Sequence, residues 1–258
     1  MGIDRLMDDA TLYERMLDSM EVAYLMGLER AIQRPGVTAA LCPAMPHRSV
    51  FNSVVYRDPE ALAAALPELA RAYEEAGVLA WTVWTPEKDV RARAALGGSG
   101  HVLDATPQAM AAPLDEVDVD EGASGLDWER ADDVDDMCAI LAAAFGLELE
   151  PTLRVLAGFE RVAHIYLARR DGRPAACTAA FDVAGDCGIY WVGTLSEARG
   201  AGLATGLMRQ ALLDARERGC TTTSLQATAL GRPVYRRLGY RELGAIEMWE
   251  RRRAGPSS

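Results

Sequence analysis

Between Gly188 and Gly219 the chain reads GIYWVGTLSEARGAGLATGLMRQALLDARERG. An apolar run suited to a strand meets a glycine-rich turn, which opens a long amphipathic helix stopped by glycine. Glycines at 200 and 202 let the backbone turn tightly and approach a ligand with no Cβ in the way. The first turn of the helix leaves N–H groups unpaired at the positive end of its dipole, and Thr205 adds a hydroxyl there. Such a turn is an anion site suited to a pyrophosphate.

Two phosphate loops do not fit. A Walker loop needs Lys before Ser or Thr, and this turn has none. A dinucleotide fold wants GxGxxG and an acid about 20 residues later. Here Thr205 holds the place of the third glycine, Gly206 follows, and Cys220 stands where the acid should be. Arg199-x-x-Gly202-x-Ala204 instead resembles the Arg/Gln-x-x-Gly-x-Gly/Ala loop of the GNAT N-acetyltransferase superfamily. Its surroundings strengthen the likeness: Ser224–Ala227 reads as a strand, and Pro233-Val-Tyr235-Arg-Arg-Leu-Gly239-Tyr240 resembles the family's short helix ending in Tyr-x-x-x-Gly-Phe/Tyr. Arg130–Asp135 before an Ala-rich helix is similar to the family's first strand and helix. The resemblance covers roughly residues 126–252, about half the chain.

The resemblance implies a mixed, mostly antiparallel α/β sheet with flanking helices. It implies acetyl-CoA as cosubstrate, its pantetheine arm bonded by the backbone of Val192-Gly193-Thr194. Its diphosphate would lie on Arg199, Gly200, Ala201, Gly202, Leu203, Ala204 and Thr205. Tyr235 would protonate the leaving thiolate, with core packing as its plainer use; Tyr240 is assigned to packing. The implied reaction moves an acetyl group directly to the amine of a small acceptor, which needs positioning and polarised hydrogen bonds but no metal. The alternative is a non-catalytic acyl-CoA-binding sensor module. One departure stands out: many members carry Asn in the turn after the second strand, where this chain has Ala227-Thr228-Ala229-Leu230, and Thr228 could cap the helix instead. A general base is not evident. Asp186 lies near where some family members place an acid but reads better as a turn residue; His164 reads as a packed strand residue, and His47 and His101 lie in the other half.

The clearest break is Ala111–Leu126, where Pro113, a run of acids and Gly122-Ala-Ser-Gly125 suggest a solvated linker. It divides the chain into a smaller α/β domain at 1–125 and a second domain at 126–258. In the first, apolar residues from Leu12 to Ile32 recur at helical spacing up to Pro35-Gly36; a helix is expected over Pro59–Ala76, a strand over Val78–Thr85, a short helix over Asp89–Leu96, a strand from His101 and an Ala-rich helix over Pro107–Ala112. Trp81, Trp84 and Tyr56 suit core packing there, or a pocket wall. In the second, a helix ends at Phe145 and strands over 163–170, 173–182 and 187–194 form a meander, its first turn at Asp171-Gly172. A helix from about Gly202 to Arg218, a strand Thr221–Ala227, a short helix Gly231–Leu238 and a last extended segment follow. Both halves carry a helix–Gly–strand–helix–Gly–strand order, with Gly-to-Gly spacings that differ by three residues. Duplication and chance recurrence account for this equally well, and the first half has no glycine-rich loop before its helix.

Half the residues are hydrophobic and a quarter charged, so a core can be buried without staples. Five scattered cysteines without a CxxC pair suit buried thiols in a reducing cytosol. Residues 115–136 hold eleven acids and one base, nearly all of the net charge of −11. The acidity is therefore local, and no basic face suggests nucleic acid. No apolar run has the length of a membrane span, and MGIDRLMDD lacks a signal region. A cytoplasmic monomer or homodimer with a small-molecule amine partner is expected.

Overall fold

The computed structural model describes residues 7–25, 30–120 and 122–253. Helix α1 (Asp9–Ala23) leads to the hairpin β1 (Arg30–Arg34) and β2 (Val37–Leu41). Then come β3 (Ser53–Tyr56), α2 (Pro59–Glu75), β4 (Ala80–Pro86), α3 (Val90–Gly98), β5 (Val102–Ala105) and β6 (Gln108–Pro113). The second half runs β7 (Asp127–Ala131), α4 (Asp135–Phe145), α5 (Leu149–Leu156), and the meander β8 (His164–Arg170), β9 (Arg173–Val183) and β10 (Asp186–Thr194). It continues with α6 (Leu203–Glu217), β11 (Thr222–Ala227), α7 (Arg232–Arg237) and β12 (Arg241–Arg252).

These strands form one sheet in the order β1-β2-β3-β4-β12-β6-β11-β10-β9-β8-β7, with β5 on β12. The pairs β3–β4 and β10–β11 are parallel and the rest antiparallel, so the sheet is mixed and mostly antiparallel, as expected. Strand alternation sorts the core onto two faces. Tyr166, Ala168, Ala176 and Ala180 pack with Leu207, Met208, Ala211 and Leu212 of α6. Ile165, Leu167, Cys177, Ala179 and Phe181 turn the other way, onto Met137, Ile140 and Leu141 of α4.

The two halves exchange strands. β6 lies between β11 and the first part of β12: Ala109–Ala112 pair with Thr223–Gln226, and Ala111 pairs with Arg241. In return, Ile246–Arg252 of β12 pair with Ala80–Pro86 of β4, while β5 pairs on their far side. This exchange corrects the expectation of a helix over Pro107–Ala112. Alanine favours helices, but here Ala109, Met110, Ala111 and Ala112 are fully buried between neighbouring strands. Met110 and Ala112 join the α6 side, and Ala109 packs with Met16 and Met20 of α1.

Two further expectations fail. The helical spacing to Ile32 does not persist: α1 ends at Ala23, residues 26–29 lie outside the described ones, and Arg30–Arg34 pair with Val37–Leu41. Pro35-Gly36, read as a helix stop, is the hairpin turn, with Gly36 at φ 75°. The acidic break is also more than a solvated linker. Val117, Val119 and Ala123 are buried, Arg216 donates to the Leu114 and Val117 carbonyls, and Glu116 and Asp118 pair with Arg241 and Arg209.

Candidate functional site

β10 and β11 pair over Asp186–Gly188 and Thr222–Ser224, yet β10 continues to Thr194 and β11 to Ala227. Past that register the strands part and leave a notch. A bulge in β10 accompanies the parting: its register on β9 shifts between Tyr190 and Gly193, and Trp191 adopts φ 52°. The Cys177 thiol donates to the Trp191 carbonyl at 3.3 Å and pins the bulge from behind. Gly193 is buried against Cys177 and Ile140, where a Cβ would be 3.2 Å from each.

At the end of β10 the chain enters the glycine-rich turn. Gly200 and Gly202 have φ of 80° and 78°, a region that glycine enters without strain. A Cβ built on either meets nothing within 4 Å, so these glycines border open space. Gly202 is the N-cap of α6, and no side chain caps that helix. A cavity of about 270 Å³ lies there, lined by Thr194, Arg199, Gly200, Gly202, Ala204 and Thr205. Leu203 borders it while its side chain is buried in the core; Ala201 is exposed and does not line it. Arg237 of α7 adds a cation that the sequence motif did not single out. Open amides, a helix N-terminus and two arginines fit a diphosphate. Gly206 serves packing: a Cβ there would stand 2.4 Å from Leu126 Cδ1.

A second cavity, of about 510 Å³, opens on the notch between the halves. The second half contributes Tyr190, Trp191, Val192 and Tyr235, and the first contributes Tyr24, His47, Trp84 and Asp104. Val192 and Thr194 thus border the two cavities on one stretch of strand. Tyr235 is half-buried, and desolvation pushes its phenol up to about 12, so it keeps its proton at neutral pH. Its ring packs edge-on to Tyr240 at 6.0 Å and lies over Gly231, where a Cβ would be 2.8 Å from it. Tyr240 is buried, its hydroxyl 2.8 Å from Thr223 Oγ1. The Thr228 hydroxyl accepts from the Gly231 amide at 3.3 Å, just before α7.

Asp186 is neither at this cavity nor a simple turn residue. It is buried, accepts hydrogen bonds from Thr222 at 2.8 Å and Ser224 at 2.6 Å, and burial raises its carboxyl to about 6. His164 lies between Arg130 and Asp182, away from both cavities, and His101 is buried edge-on to Trp81. Of the three first-half aromatics, Trp81 and Tyr56 are core residues and Trp84 borders the cavity. Two carboxylates at the cavity, Asp104 and Glu250, were not apparent from sequence. A signal existed for Glu250: it alternates with Ile246 and Met248 on one face of β12. Among the described residues no cluster of three or more His, Cys, Asp or Glu is placed to hold a metal, and no helix is long and apolar enough to cross a membrane. The five cysteines are buried and form no disulfide.

Residues 161–242 match the family model described as acetyltransferase (GNAT) domain. The second half of the chain therefore carries a GNAT domain, in agreement with the loop and short-helix signatures. Among solved structures, the chain is similar to a GCN5-related N-acetyltransferase from Kribbella flavida, at 20% identity over 93% of this chain and 95% of that one, with a TM-score of 0.68. A GCN5-related N-acetyltransferase from Sphaerobacter thermophilus is similar at 18% identity over 86% and 79%, with a TM-score of 0.58. A tandem GNAT protein from the clavulanic acid biosynthesis pathway covers 97% of both chains, at 15% identity and a TM-score of 0.56. At these identities the likeness is one of fold. No curated protein matches the chain.

Proposed function

We propose that the protein transfers an acetyl group from acetyl-CoA to the amine of a small acceptor by direct attack. The observation that carries this reading is the placement of two cavities on one stretch of β10: a cradle at Arg199–Thr205 that Thr194 borders, and a larger cavity that Val192 and Tyr235 border. The uncapped start of α6, with Arg199 and Arg237, would hold the diphosphate. Unpaired backbone of β10 beside the notch would bond the pantetheine arm. The acceptor nitrogen forms a bond to the acyl carbon as the C–S bond breaks; the amine proton passes to solvent or a cavity base, and Tyr235 delivers its proton to the thiolate. A phenol held near 12 is neutral at working pH and can act as that acid.

Tyr235→Phe tests the reading. It keeps the ring and its packing, so melting temperature and CoA affinity should stay near wild type while kcat falls about a hundredfold. Tyr240→Phe is the control: it loses a buried hydrogen bond and about 1 kcal/mol of stability, but turnover per folded molecule should hold. A fully active Tyr235→Phe would remove the acid role. A protein that binds acetyl-CoA yet releases no CoA with any amine would be the sensor instead.

A further inference from the structure

We propose that the acceptor is a primary amine borne on an aromatic body, with its ammonium group held by Glu250 as it enters. The inference rests on the acyl-transfer reading of the same cavity and names its substrate class. Three fixed rings make the wall. Tyr24 stacks on Trp84 with centroids 5.4 Å apart, and Tyr190 meets Tyr24 edge-on at 6.2 Å. Trp84 Nε1 donates to Ser53 Oγ at 2.9 Å, and the Tyr190 hydroxyl lies 3.0 Å from Ser19 Oγ. Rings locked in this way present flat apolar faces with little entropy left to lose, which suits another ring or a desolvated cation.

Glu250 supplies the charge. β12 pairs Met248 with Trp84 and Glu250 with Thr82, so the carboxylate stands one step along the same face as the aromatic wall. Glu250 borders the cavity while only 6% exposed. A carboxylate so buried is costly unless it meets positive charge or donors. Oε1 accepts from Arg252 Nε at 2.8 Å, no second hydrogen bond to this carboxylate is found among the described residues, and Oε2 is not one of the fully buried atoms left without a partner, so it is not fully enclosed. An ammonium would complete it. The exposed Asp104 adds negative charge at the mouth. The cations at the rim are already engaged with backbone: Arg48 donates to the Gly146 carbonyl, and Arg252 to that of His47 at 3.2 Å. An acceptor carrying its own carboxylate therefore lacks a partner as buried as Glu250, and amines without one are favoured over amino acids.

The test uses the full chain with two readouts, calorimetric binding of the amine in the presence of CoA and CoA release from acetyl-CoA. 2-Phenylethylamine and tryptamine are compared with butylamine, L-phenylalanine and kanamycin. The aromatic amines should bind and be acetylated with at least tenfold higher kcat/KM than the others. Glu250→Gln should weaken their binding and raise their KM by about 10- to 100-fold, as expected for a lost charge-assisted bond, with acetyl-CoA affinity and melting temperature near wild type. Arg252→Gln should leave amine binding much closer to wild type. Preference for butylamine, phenylalanine or kanamycin would overturn the proposal and leave the acyl-transfer reading standing. An Arg252→Gln loss equal to that of Glu250→Gln would also overturn it, by showing that the pair acts only as a structural unit. If no amine is acetylated, the acyl-transfer reading falls, and calorimetry alone decides: Glu250-dependent binding of 2-phenylethylamine supports the assignment, and absence of binding ends it.

Discussion

The same connection, a strand turning into a helix that returns to a parallel strand, is built twice in this chain with opposite chemistry. At the β3–α2 turn Asp58 caps the helix, its carboxylate accepting from the Glu60 amide at 2.9 Å, with Pro59 and Glu60 in the first turn. At the β10–α6 turn Gly200 and Gly202 leave the amides uncapped and face a cavity. A helix N-terminus satisfied by its own carboxylate has no vacancy for an anion and repels one; an uncapped one recruits phosphate. Local capping, more than fold, separates the two turns: one is closed by its own carboxylate and the other is left open beside a cavity.

Making the second turn resemble the first should have the largest effect. Gly202→Asp places a carboxylate where Asp58 stands in the first half, and CoA affinity should fall more than a hundredfold by calorimetry. Gly202→Asn has nearly the same shape and tolerates positive φ, so it should retain most of the binding. Equal losses in both would assign the effect to shape and not to charge. Arg237→Gln should weaken CoA binding about tenfold, in line with one charge-assisted contact.

The starts of the two parallel pairs differ as well: Ser53 stands opposite Thr82, and Asp186 opposite Thr222. Unfolded, Asp186 ionises at its ordinary value; folded, it keeps its proton to about 6. Its contribution is therefore full below about pH 4 and lost as pH climbs to about 6, by up to roughly 3 kcal/mol. Urea unfolding of wild type and Asp186→Asn at several pH values isolates this group. The wild type should lose stability relative to the variant across that window, and parallel curves would refute the raised value. Last in size, Asp58→Ala should cost about 1 kcal/mol of stability through the lost cap and leave CoA affinity unchanged.

What could be read in the sequence was short-ranged. Arg199–Thr205 announces itself because a tight turn and a helix start are made by neighbours in the chain, and Asp171-Gly172 marks its hairpin for the same reason. The wall of the larger cavity is different. Tyr24, Trp84 and Glu250 meet through strand register and helix packing across more than two hundred positions, and no local pattern encodes that. Gln108–Pro113 shows the same limit: its alanines suit a helix until two strands from the other half enclose them.

The exchanged strand also sets an order of events during synthesis. The edge of β4 that receives Ile246–Arg252 has to wait for most of the second half to emerge from the ribosome. At about 5–20 residues per second that wait lasts roughly ten to thirty seconds. Throughout it, Trp81 to Thr85 form an apolar edge with no neighbour on that side, open to pairing with a second nascent chain. Moving Ile246–Arg252 forward in a circularly permuted gene should shorten that exposure, and raised soluble yield would register it.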